Sequence, residues 1–198
     1  MIVLRWPPMH LISTGLFPAA WAAWCLYWFG AARGGKPAQR TESVASRLTH
    51  YVPLVLAILL LSWPDFGGRT LNRSLWPHAA TMFWIGAAML LAGLLFSVAA
   101  RVQLGGNWSS TVTVKQDHSL TRSGPYRLVR HPIYTGILLA IAGNVVARGE
   151  WRDLLALALV LAAFLRKIRI EERFMLAQFG ASYARYRREV PALVPGLL

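Results

Sequence analysis

Two polar clusters in the C-terminal half of the chain hold the residues whose types and spacing could do chemistry. Segment 124–136, GPYRLVRHPIYTG, places Arg130 and His131 directly before an apolar run. Forty residues after His131 the chain carries the acidic pair Glu171 and Glu172. Charged groups at a membrane edge are costly and are usually retained for a function. The two clusters therefore predict one functional site.

The residue types predict a nucleotide-like ligand. A carboxylate of Glu171 or Glu172 can accept hydrogen bonds from ribose hydroxyls or from an amino group. Tyr126 and Tyr134 offer flat ring faces for stacking and for a cation–π contact with a sulfonium. These features describe a class of ligand and identify no particular cofactor.

His131 precedes Pro132, a residue suited to the first helical position, so we expect His131 at the start of a helix. Backbone N–H groups in the first turn have no partner within the helix and attract anions. Together with Arg130, they suit a carboxylate. The plainer interpretation makes Arg130 an anchor at the membrane surface, His131 a capping residue and the glutamate pair a solvated helix face.

An Arg-His-Pro-x-Tyr sequence, a glutamate pair and FGxxYxxYxxxVP follow one another in residues 130–191. This order resembles the C-terminal half of the isoprenylcysteine carboxyl methyltransferase family, and the resemblance extends over residues 104–191. It implies an integral-membrane methyltransferase that uses S-adenosylmethionine as its cofactor. It also implies a lipophilic or prenylated acceptor, with the carboxylate of a prenylcysteine-like substrate as the expected methyl acceptor.

The resemblance carries roles over to individual residues. It implies a cofactor site built from a His-Ser-Leu-Thr segment, the tyrosine before the arginine–histidine pair, the His-Pro-x-Tyr sequence and one of the two glutamates. In this chain those residues are His118, Ser119, Leu120, Thr121, Tyr126, His131, Pro132, Ile133, Tyr134, Glu171 and Glu172. The expected catalytic residues are Arg130, His131 and Lys167.

The acceptor side of the site is implied by the same resemblance. In the family, a basic residue shortly before the glutamate pair holds the substrate carboxylate. The candidates here are Arg166, Lys167 and Arg169. Trp108 either closes over the substrate or anchors its loop at the lipid headgroups. Eukaryotic members carry a longer acidic run where this chain has two glutamates, so the chain departs from the family pattern at the acceptor side.

The composition indicates a membrane protein with a single domain. Of the 198 residues, 56% are hydrophobic, and they form blocks close to the roughly 20 residues that span a bilayer. The net charge of +13 does not predict nucleic-acid binding, because no basic helix or aromatic–basic surface accompanies it. Cys25 is the single cysteine, and no Cys/His spacing predicts a metal site.

The apolar blocks predict an all-α, polytopic fold with five transmembrane helices. Residues 1–103 are expected to form a three-helix scaffold, and residues 104–198 a catalytic region with a helical hairpin. Gly86 and Gly93 share a helix face and allow close packing. TVTV at residues 111–114 alternates like a strand, so we expect it at the interface or against protein. The expected spans are 10–30, 48–63, 77–102, 132–147 and 152–167, with the last helix continuing, polar, to 177.

The distribution of Lys and Arg predicts the orientation. Counted with the helix ends beside them, the N-terminus and the second and fourth loops carry five of the 21 basic residues, and the first loop, the third loop and the tail carry the remaining 16. Basic residues favour the cytoplasmic side. We therefore expect a cytoplasmic C-terminus and a cytoplasmic cofactor pocket, with anionic membrane lipid close to both.

Other functions match parts of the pattern. Related membrane enzymes include phospholipid N-methyltransferases, methyltransferases of small amines or thiols, and NADPH-dependent sterol reductases. The Arg-His-Pro-x-Tyr form favours methyl transfer over reduction. A transporter or scaffold is disfavoured, because the predicted spans contain almost no ionisable residues that could line a path.

Overall fold

Five long helices dominate the structure, a computed structural model that describes residues 9–31, 38–41, 44–107, 113–115 and 120–197. Each long helix overlaps a segment that the sequence predicts to be helical, and the last one runs on through its polar stretch as expected. The predicted all-α architecture is therefore present, with two short helices added. In chain order the helices are α1 (Met9–Ala31), α2 (Val44–Ser62), α3 (Gly68–Leu71), α4 (Ala80–Leu104), α5 (Pro132–Arg148), α6 (Trp151–Phe179) and α7 (Ala181–Glu189).

A small antiparallel sheet joins two of the connections between helices. Strand β1 (Ala38–Thr41) lies between α1 and α2, and strand β2 (Thr113–Lys115) lies between α4 and α5. Arg40 is paired with Val114 in the register. Strand β2 falls in the alternating Thr-Val segment, whose β-branched residues favour extended backbone. The sheet holds these two connections at the same end of the helices.

Helices α4 and α5 pack with their backbones in direct contact. Gly86 and Gly93 of α4 face Gly143 and Gly136 of α5, respectively. A Cβ atom added at Gly93 would lie 2.6 Å from the backbone nitrogen of Ala140, which is inside van der Waals contact. Glycine permits such an approach because it has no side chain. The predicted packing face of α4 is confirmed.

The other helices pack against this pair through apolar side chains. Phe17 of α1 lies against Phe83 of α4, with ring centroids 5.7 Å apart. Trp21 of α1 packs against this cluster and against a second one formed by α2, α5 and α6. Helix α5 contributes Ala140 to the first cluster and Ile141 to the second. Its two faces are therefore fixed by different neighbours.

An ion cluster closes the end of the helices where α5 turns into α6. Arg148 pairs with Asp153 and donates to the carbonyl oxygen of Leu61 at 3.2 Å. Arg152 donates to the carbonyl oxygen of Leu60 at 3.4 Å. These contacts satisfy carbonyl groups that the end of a helix leaves unpaired. They tie α2 to the α5–α6 hairpin.

Two of the described helices are long and apolar enough to cross a bilayer by length and composition, at Ala45–Ser62 and Ala80–Leu104. Helix α5 is apolar but shorter. Large apolar side chains on the outward faces of α2 and α4 are exposed, among them Val55, Ile58, Leu91 and Leu95. The number of spans that the sequence predicts, five, stays a prediction.

Candidate active site

The site lies where the start of α5 meets the polar part of α6. His131 immediately precedes α5 and Pro132 is its first residue, a position where the missing N–H would have no helical partner. On α6, Phe164, Lys167 and Glu171 are spaced three and four residues apart, so they lie on one helix face. The two predicted clusters are in contact through His131 and Glu171.

His131 is enclosed between the two glutamates. Its Nδ1 atom lies 3.4 Å from Oε2 of Glu171, and its Nε2 atom lies 3.4 Å from Oε1 of Glu172. The His131 side chain is 10% exposed and that of Glu172 is 9% exposed. Residues that are distant in sequence thus form one nearly buried polar cluster, which we call the His131 cluster.

Tyr134 adds a hydroxyl group and an aromatic ring to the His131 cluster. The hydroxyl donates to Oε1 of Glu171 at 2.5 Å, and the ring is parallel to that of His131 with centroids 5.6 Å apart. The ring of Phe164 lies 4.4 Å from that of Tyr134, and Nζ of Lys167 lies 5.6 Å from its centroid. The ring predicted to stack on a ligand is therefore already packed by protein groups.

Arg130 joins the His131 cluster to the C-terminal segment. Its Nε and Nη2 atoms lie 2.8 and 2.7 Å from Oε1 of Glu172. Its Nη1 atom donates to the carbonyl oxygens of Arg187 and Val190. All three guanidinium nitrogens thus have partners inside the protein. These are the contacts of a positioning group, and the catalytic role expected for Arg130 stays a prediction.

The C-terminal segment 190–193 lies against the start of α5, a contact that the sequence analysis missed. The N–H groups of Arg130 and His131 donate to successive carbonyl oxygens of this segment at 2.8 and 3.0 Å. The hydroxyl of Thr135 donates to a third carbonyl at 2.7 Å. The Val-Pro end of the FGxxYxxYxxxVP motif is the signal that could have indicated it. Two N–H groups next to the helix start are therefore engaged within the protein.

Burial and neighbouring charges shift the pKa values of Glu171, Glu172 and His131 in opposite directions. Burial alone raises the pKa of Glu172, but hydrogen bonds from His131 and Arg130, with their charges, lower it to about 2. Burial also raises the pKa of Glu171, yet the His131 hydrogen bond and the Lys167 charge bring that pKa below its usual range. Burial lowers the pKa of His131, but its hydrogen bonds to both glutamates outweigh this and the pKa is raised. The cluster favours two carboxylates beside a protonated imidazole.

The apolar members of the predicted cofactor set are core residues. Pro132 and Ile133 are buried in the first turn of α5. Ile133 and Tyr126 pack with Ala100 of α4. Burial is the main reason that the pKa of Tyr126 lies well above its usual range. In this structure these residues hold the loop before α5 on the helix core.

Tyr183 and Tyr186 of α7 support the same loop. Their rings meet edge to face with centroids 6.0 Å apart, and each residue is 2% exposed. The hydroxyl of Tyr186 donates to the carbonyl oxygen of Tyr126 at 2.6 Å. Burial raises the pKa of Tyr186 to about 12, so the phenol stays protonated and available as a donor. Both tyrosines have the contacts of packing residues.

The three basic candidates for the acceptor side occupy different environments. Lys167 faces the His131 cluster, with Nζ 3.9 Å from Oε1 of Glu171. Arg166 donates to the carbonyl and hydroxyl oxygens of Ser46 at 3.2 and 3.3 Å, which ties α6 to α2. Arg169 is exposed. Of these three residues, Lys167 is the one that the fold brings beside the glutamates.

Other predicted site residues precede the cluster in sequence. Trp108, His118 and Ser119 lie outside the described residues. Leu120 and Thr121 are half-buried and lead into the turn before α5. In the described part of the chain, no group of three or more His, Cys, Asp or Glu side chains is placed to hold a metal ion.

Sequence relatives match the part of the chain that carries the His131 cluster. The sequence model of the isoprenylcysteine carboxyl methyltransferase (ICMT) family matches residues 84–177. The protein-S-isoprenylcysteine O-methyltransferase of Schizosaccharomyces pombe is 36% identical over 109 residues, covering 54% of this chain and 46% of that protein. Methanethiol S-methyltransferase 2 of Bradyrhizobium diazoefficiens is 31% identical over 162 residues, covering 76% of this chain and 60% of that protein. The chain thus spans about half the length of such relatives.

The fold has a counterpart among solved structures. A structure of the eukaryotic intramembrane Ras methyltransferase ICMT (isoprenylcysteine carboxyl methyltransferase) matches with a TM-score of 0.50 at 23% identity. The match covers 77% of this chain and 52% of that chain, so the two share a helical architecture. The segment that the family model matches, residues 84–177, contains His131, Tyr134 and both glutamates, the residues on which the resemblance to that family rests.

Proposed function

We propose that this protein is an integral-membrane methyltransferase that transfers a methyl group from S-adenosylmethionine to a lipophilic acceptor. The observation that carries the proposal is the His131 cluster, which lies at one end of apolar helices within the segment that matches the family. The acceptor that fits best is the carboxylate of a prenylcysteine-like substrate.

The side chains at the cluster suit the chemistry of S-adenosylmethionine. The carboxylates of Glu171 and Glu172 suit its ammonium group and its ribose hydroxyls. Tyr134 contributes through its hydroxyl, which donates to Glu171 and helps to hold that carboxylate in place. When bound, S-adenosylmethionine supplies a methyl group on a positively charged sulfur. The cations around both glutamates keep them ionised, so they retain their capacity to accept hydrogen bonds.

Lys167 is the residue that we assign to the acceptor. Its side chain is 12% exposed and lies beside Glu171 and the ring of Tyr134. An ammonium group in this position suits an acceptor carboxylate. A carboxylate is ionised at neutral pH and already carries its nucleophilic oxygen. The remaining tasks of the chain are to hold the acceptor in line with the donor and to exclude water.

We propose that the end of the protein with the His131 cluster faces the cytoplasm and that the five long helices cross the membrane. Strands β1 and β2 join the first and third loops at one end of the helices. Those loops, the helix ends beside them and the tail carry 16 of the 21 basic residues, which favours a cytoplasmic location. The exposed apolar faces of α2 and α4 support contact with lipid.

A small thiol is the second candidate acceptor, because a thiol methyltransferase matches as much of this chain as an isoprenylcysteine enzyme does. Methanethiol S-methyltransferase 2 matches 76% of the chain and the protein-S-isoprenylcysteine O-methyltransferase of Xenopus laevis matches 75%, both at 31% identity. A thiol differs from a carboxylate in being mostly protonated at neutral pH, since its usual pKa is about 8.5. A thiol acceptor therefore has to lose its proton before it can attack the methyl group, whereas a carboxylate acceptor does not.

The proposal is tested with detergent-solubilised protein, methyl-labelled S-adenosylmethionine and two acceptors, an S-farnesylcysteine derivative and a simple alkanethiol. We expect label in the farnesylcysteine fraction as a base-labile ester. Label in the thiol alone would favour the second candidate. Transfer to neither acceptor, by protein that binds S-adenosylhomocysteine, would reject both acceptors.

A further inference from the structure

Both ring nitrogens of His131 face a carboxylate oxygen. Nδ1 lies 3.4 Å from Glu171 and Nε2 lies 3.4 Å from Glu172. A neutral imidazole has one N–H donor and one lone pair. In either neutral tautomer, one lone pair would therefore point at a carboxylate. Only the imidazolium form presents an N–H group to both neighbours.

The proton belongs on the histidine because both glutamates have other donors. Oε1 of Glu171 accepts the hydroxyl of Tyr134 at 2.5 Å and lies 3.9 Å from the ammonium of Lys167. Oε1 of Glu172 receives Nε and Nη2 of Arg130. Each of these contacts favours a carboxylate over a carboxylic acid.

Helix α7, which also packs against the cluster, supplies another positive charge. Nε of Arg187, on α7, lies 3.3 Å from Oε2 of Glu172. The groups around His131 are therefore the two carboxylates and Tyr134, with Arg130, Lys167 and Arg187 beyond them. The pKa of His131 is raised even though burial opposes it, which agrees with the geometry.

We propose that His131 is a fixed imidazolium that positions Glu171 and Glu172, and that it does not serve as a general base. The histidine acts through the two glutamates that it bridges. It orients one carboxylate with each ring nitrogen, and both of its N–H groups are used in doing so. No lone pair is left on the ring to take a proton from an acceptor.

A consequence follows for the reaction, and it rests on the proposed function. The acceptor has to reach the donor already ionised. With a thiol, the S–H proton leaves to solvent first, and the thiolate lone pair then forms the new bond to the methyl carbon. The bond between the methyl carbon and the sulfonium sulfur breaks at the same time, and both products are uncharged thioethers. His131 gains and loses no proton in this sequence.

Nitrogen NMR of the ligand-free protein tests the proton state directly. Ring nitrogens are labelled with ¹⁵N, and the His131 signals are identified by their loss in His131→Gln. We expect both nitrogens to show protonated shifts at pH 7.5, and the titration midpoint to fall in Glu171→Gln. Glu189→Gln, which removes a carboxylate paired with Arg122, is the matched control and should leave the midpoint unchanged. A wild-type midpoint at or below about 6.5, the ordinary value, would overturn the proposal.

The pH dependence of methyl transfer supplies the second test. Without a general base in the site, the rate of methyl transfer to an alkanethiol should rise about tenfold per pH unit below the thiol pKa, because the fraction of thiolate rises by that factor. The rate with a prenylcysteine carboxylate should stay nearly level between pH 6 and 9. A thiol profile that levels off well below the thiol pKa, and regains its slope in His131→Gln, would assign the base role to His131 and overturn the proposal. Because the NMR test needs no turnover, it separates this inference from the proposed function.

Discussion

Arg130 holds Glu172 through two nitrogens that share one carboxylate oxygen, with Nε at 2.8 Å and Nη2 at 2.7 Å from Oε1. The third nitrogen of the same guanidinium donates to carbonyl oxygens at Arg187 and Val190. A single buried side chain thus links the acidic pair on α6 to the end of the chain. The C-terminal segment is therefore part of the site's support.

Replacing Arg130 should weaken both the fold and the site. Arg130→Ala removes the two closest donors of the nearly buried Glu172 carboxylate, while His131 and Arg187 remain beside it. The loss of a hydrogen bond to a charged group typically costs about 1.5–3 kcal/mol. We expect a lower apparent Tm in detergent and weaker binding of S-adenosylhomocysteine. Arg127→Ala, in the same loop but exposed, is the control. Equal thermal stability of the two variants would contradict the positioning role.

Alanine at Gly93 and at Gly30 should have opposite effects. A Cβ atom at Gly93 would run into the backbone of α5, whereas no atom of the described residues lies within 4 Å of one at Gly30. Overpacking typically costs about 1–3 kcal/mol, so Gly93→Ala should lower the apparent Tm. Gly30→Ala should leave it unchanged or raise it, since alanine in an open helical position stabilises by about 0.4–1 kcal/mol. A fall in the apparent Tm of Gly30→Ala as large as that of Gly93→Ala would argue against the α4–α5 contact.

The stability of the His131 cluster should depend on pH in both directions. The pKa of His131 is higher in the folded protein than in the unfolded chain. Its contribution to the free energy of unfolding is therefore complete below pH 6.5 or so, about the pKa in the unfolded chain, and is lost as pH rises through the higher pKa of the folded protein. The pKa of Glu172 is about 2 in the folded protein, below the value of roughly 4.3 expected in the unfolded chain. Its contribution to the free energy of unfolding is therefore present above that unfolded pKa and is lost as pH falls toward 2. The His131 cluster should therefore stabilise the folded protein most between the unfolded pKa values of the glutamate and the histidine.

Thermal denaturation of wild type and His131→Gln from pH 4 to 9 measures this dependence. The difference in apparent Tm between the two proteins should be largest near pH 5 to 6 and should shrink toward pH 9. A difference that grows as pH rises to about 7 and then levels off would mean that His131 is neutral in the folded protein, because a neutral buried histidine costs stability only below its unfolded pKa of about 6.5.

Alanine variants of Lys167 and Arg166 should show separately which residue binds the acceptor and which stabilises the fold. Lys167→Ala should raise the KM for a carboxylate acceptor and leave affinity for S-adenosylhomocysteine nearly unchanged, because the lysine is assigned to the acceptor. Arg166→Ala should lower the apparent Tm, because it removes the contacts to Ser46, and leave the KM of the folded fraction alone. An unchanged KM in Lys167→Ala would remove the main support for a carboxylate acceptor.

The sequence predicts the long helices and the location of the site for physical reasons. Apolar blocks of spanning length predict the helices, and Pro132 predicts the start of α5. Gly86 and Gly93 predict the packing face of α4, because two glycines seven residues apart lie on the same side of a helix. The Arg-His-Pro-x-Tyr sequence and the glutamate pair, on which the predicted resemblance rests, lie in the segment 84–177 that the family model matches.

The details of the site depend on packing that the sequence does not reveal. Arg166 and Lys167 are adjacent, and successive helical residues point about 100° apart. Which of them faces the glutamates is decided by the rotation of α6 against α2 and α5. The sequence likewise treats Glu171 and Glu172 as alternatives, whereas the fold places one on each ring nitrogen of His131. The docking of the C-terminal segment is a tertiary contact, and the Val-Pro end of its motif does not reveal that the partner is the start of α5.

The measurement that tests the central claim most directly is calorimetric titration of the detergent-solubilised protein with S-adenosylhomocysteine and, separately, with NADPH. We predict saturable binding of S-adenosylhomocysteine and none of NADPH. Losing one charged hydrogen bond typically costs about 1.5–3 kcal/mol, so Glu171→Gln and Glu172→Gln should lower the affinity roughly ten- to a hundred-fold, and Glu189→Gln should not. Binding of NADPH, or binding of S-adenosylhomocysteine that both glutamate variants leave unchanged, would contradict a methyltransferase site at the His131 cluster.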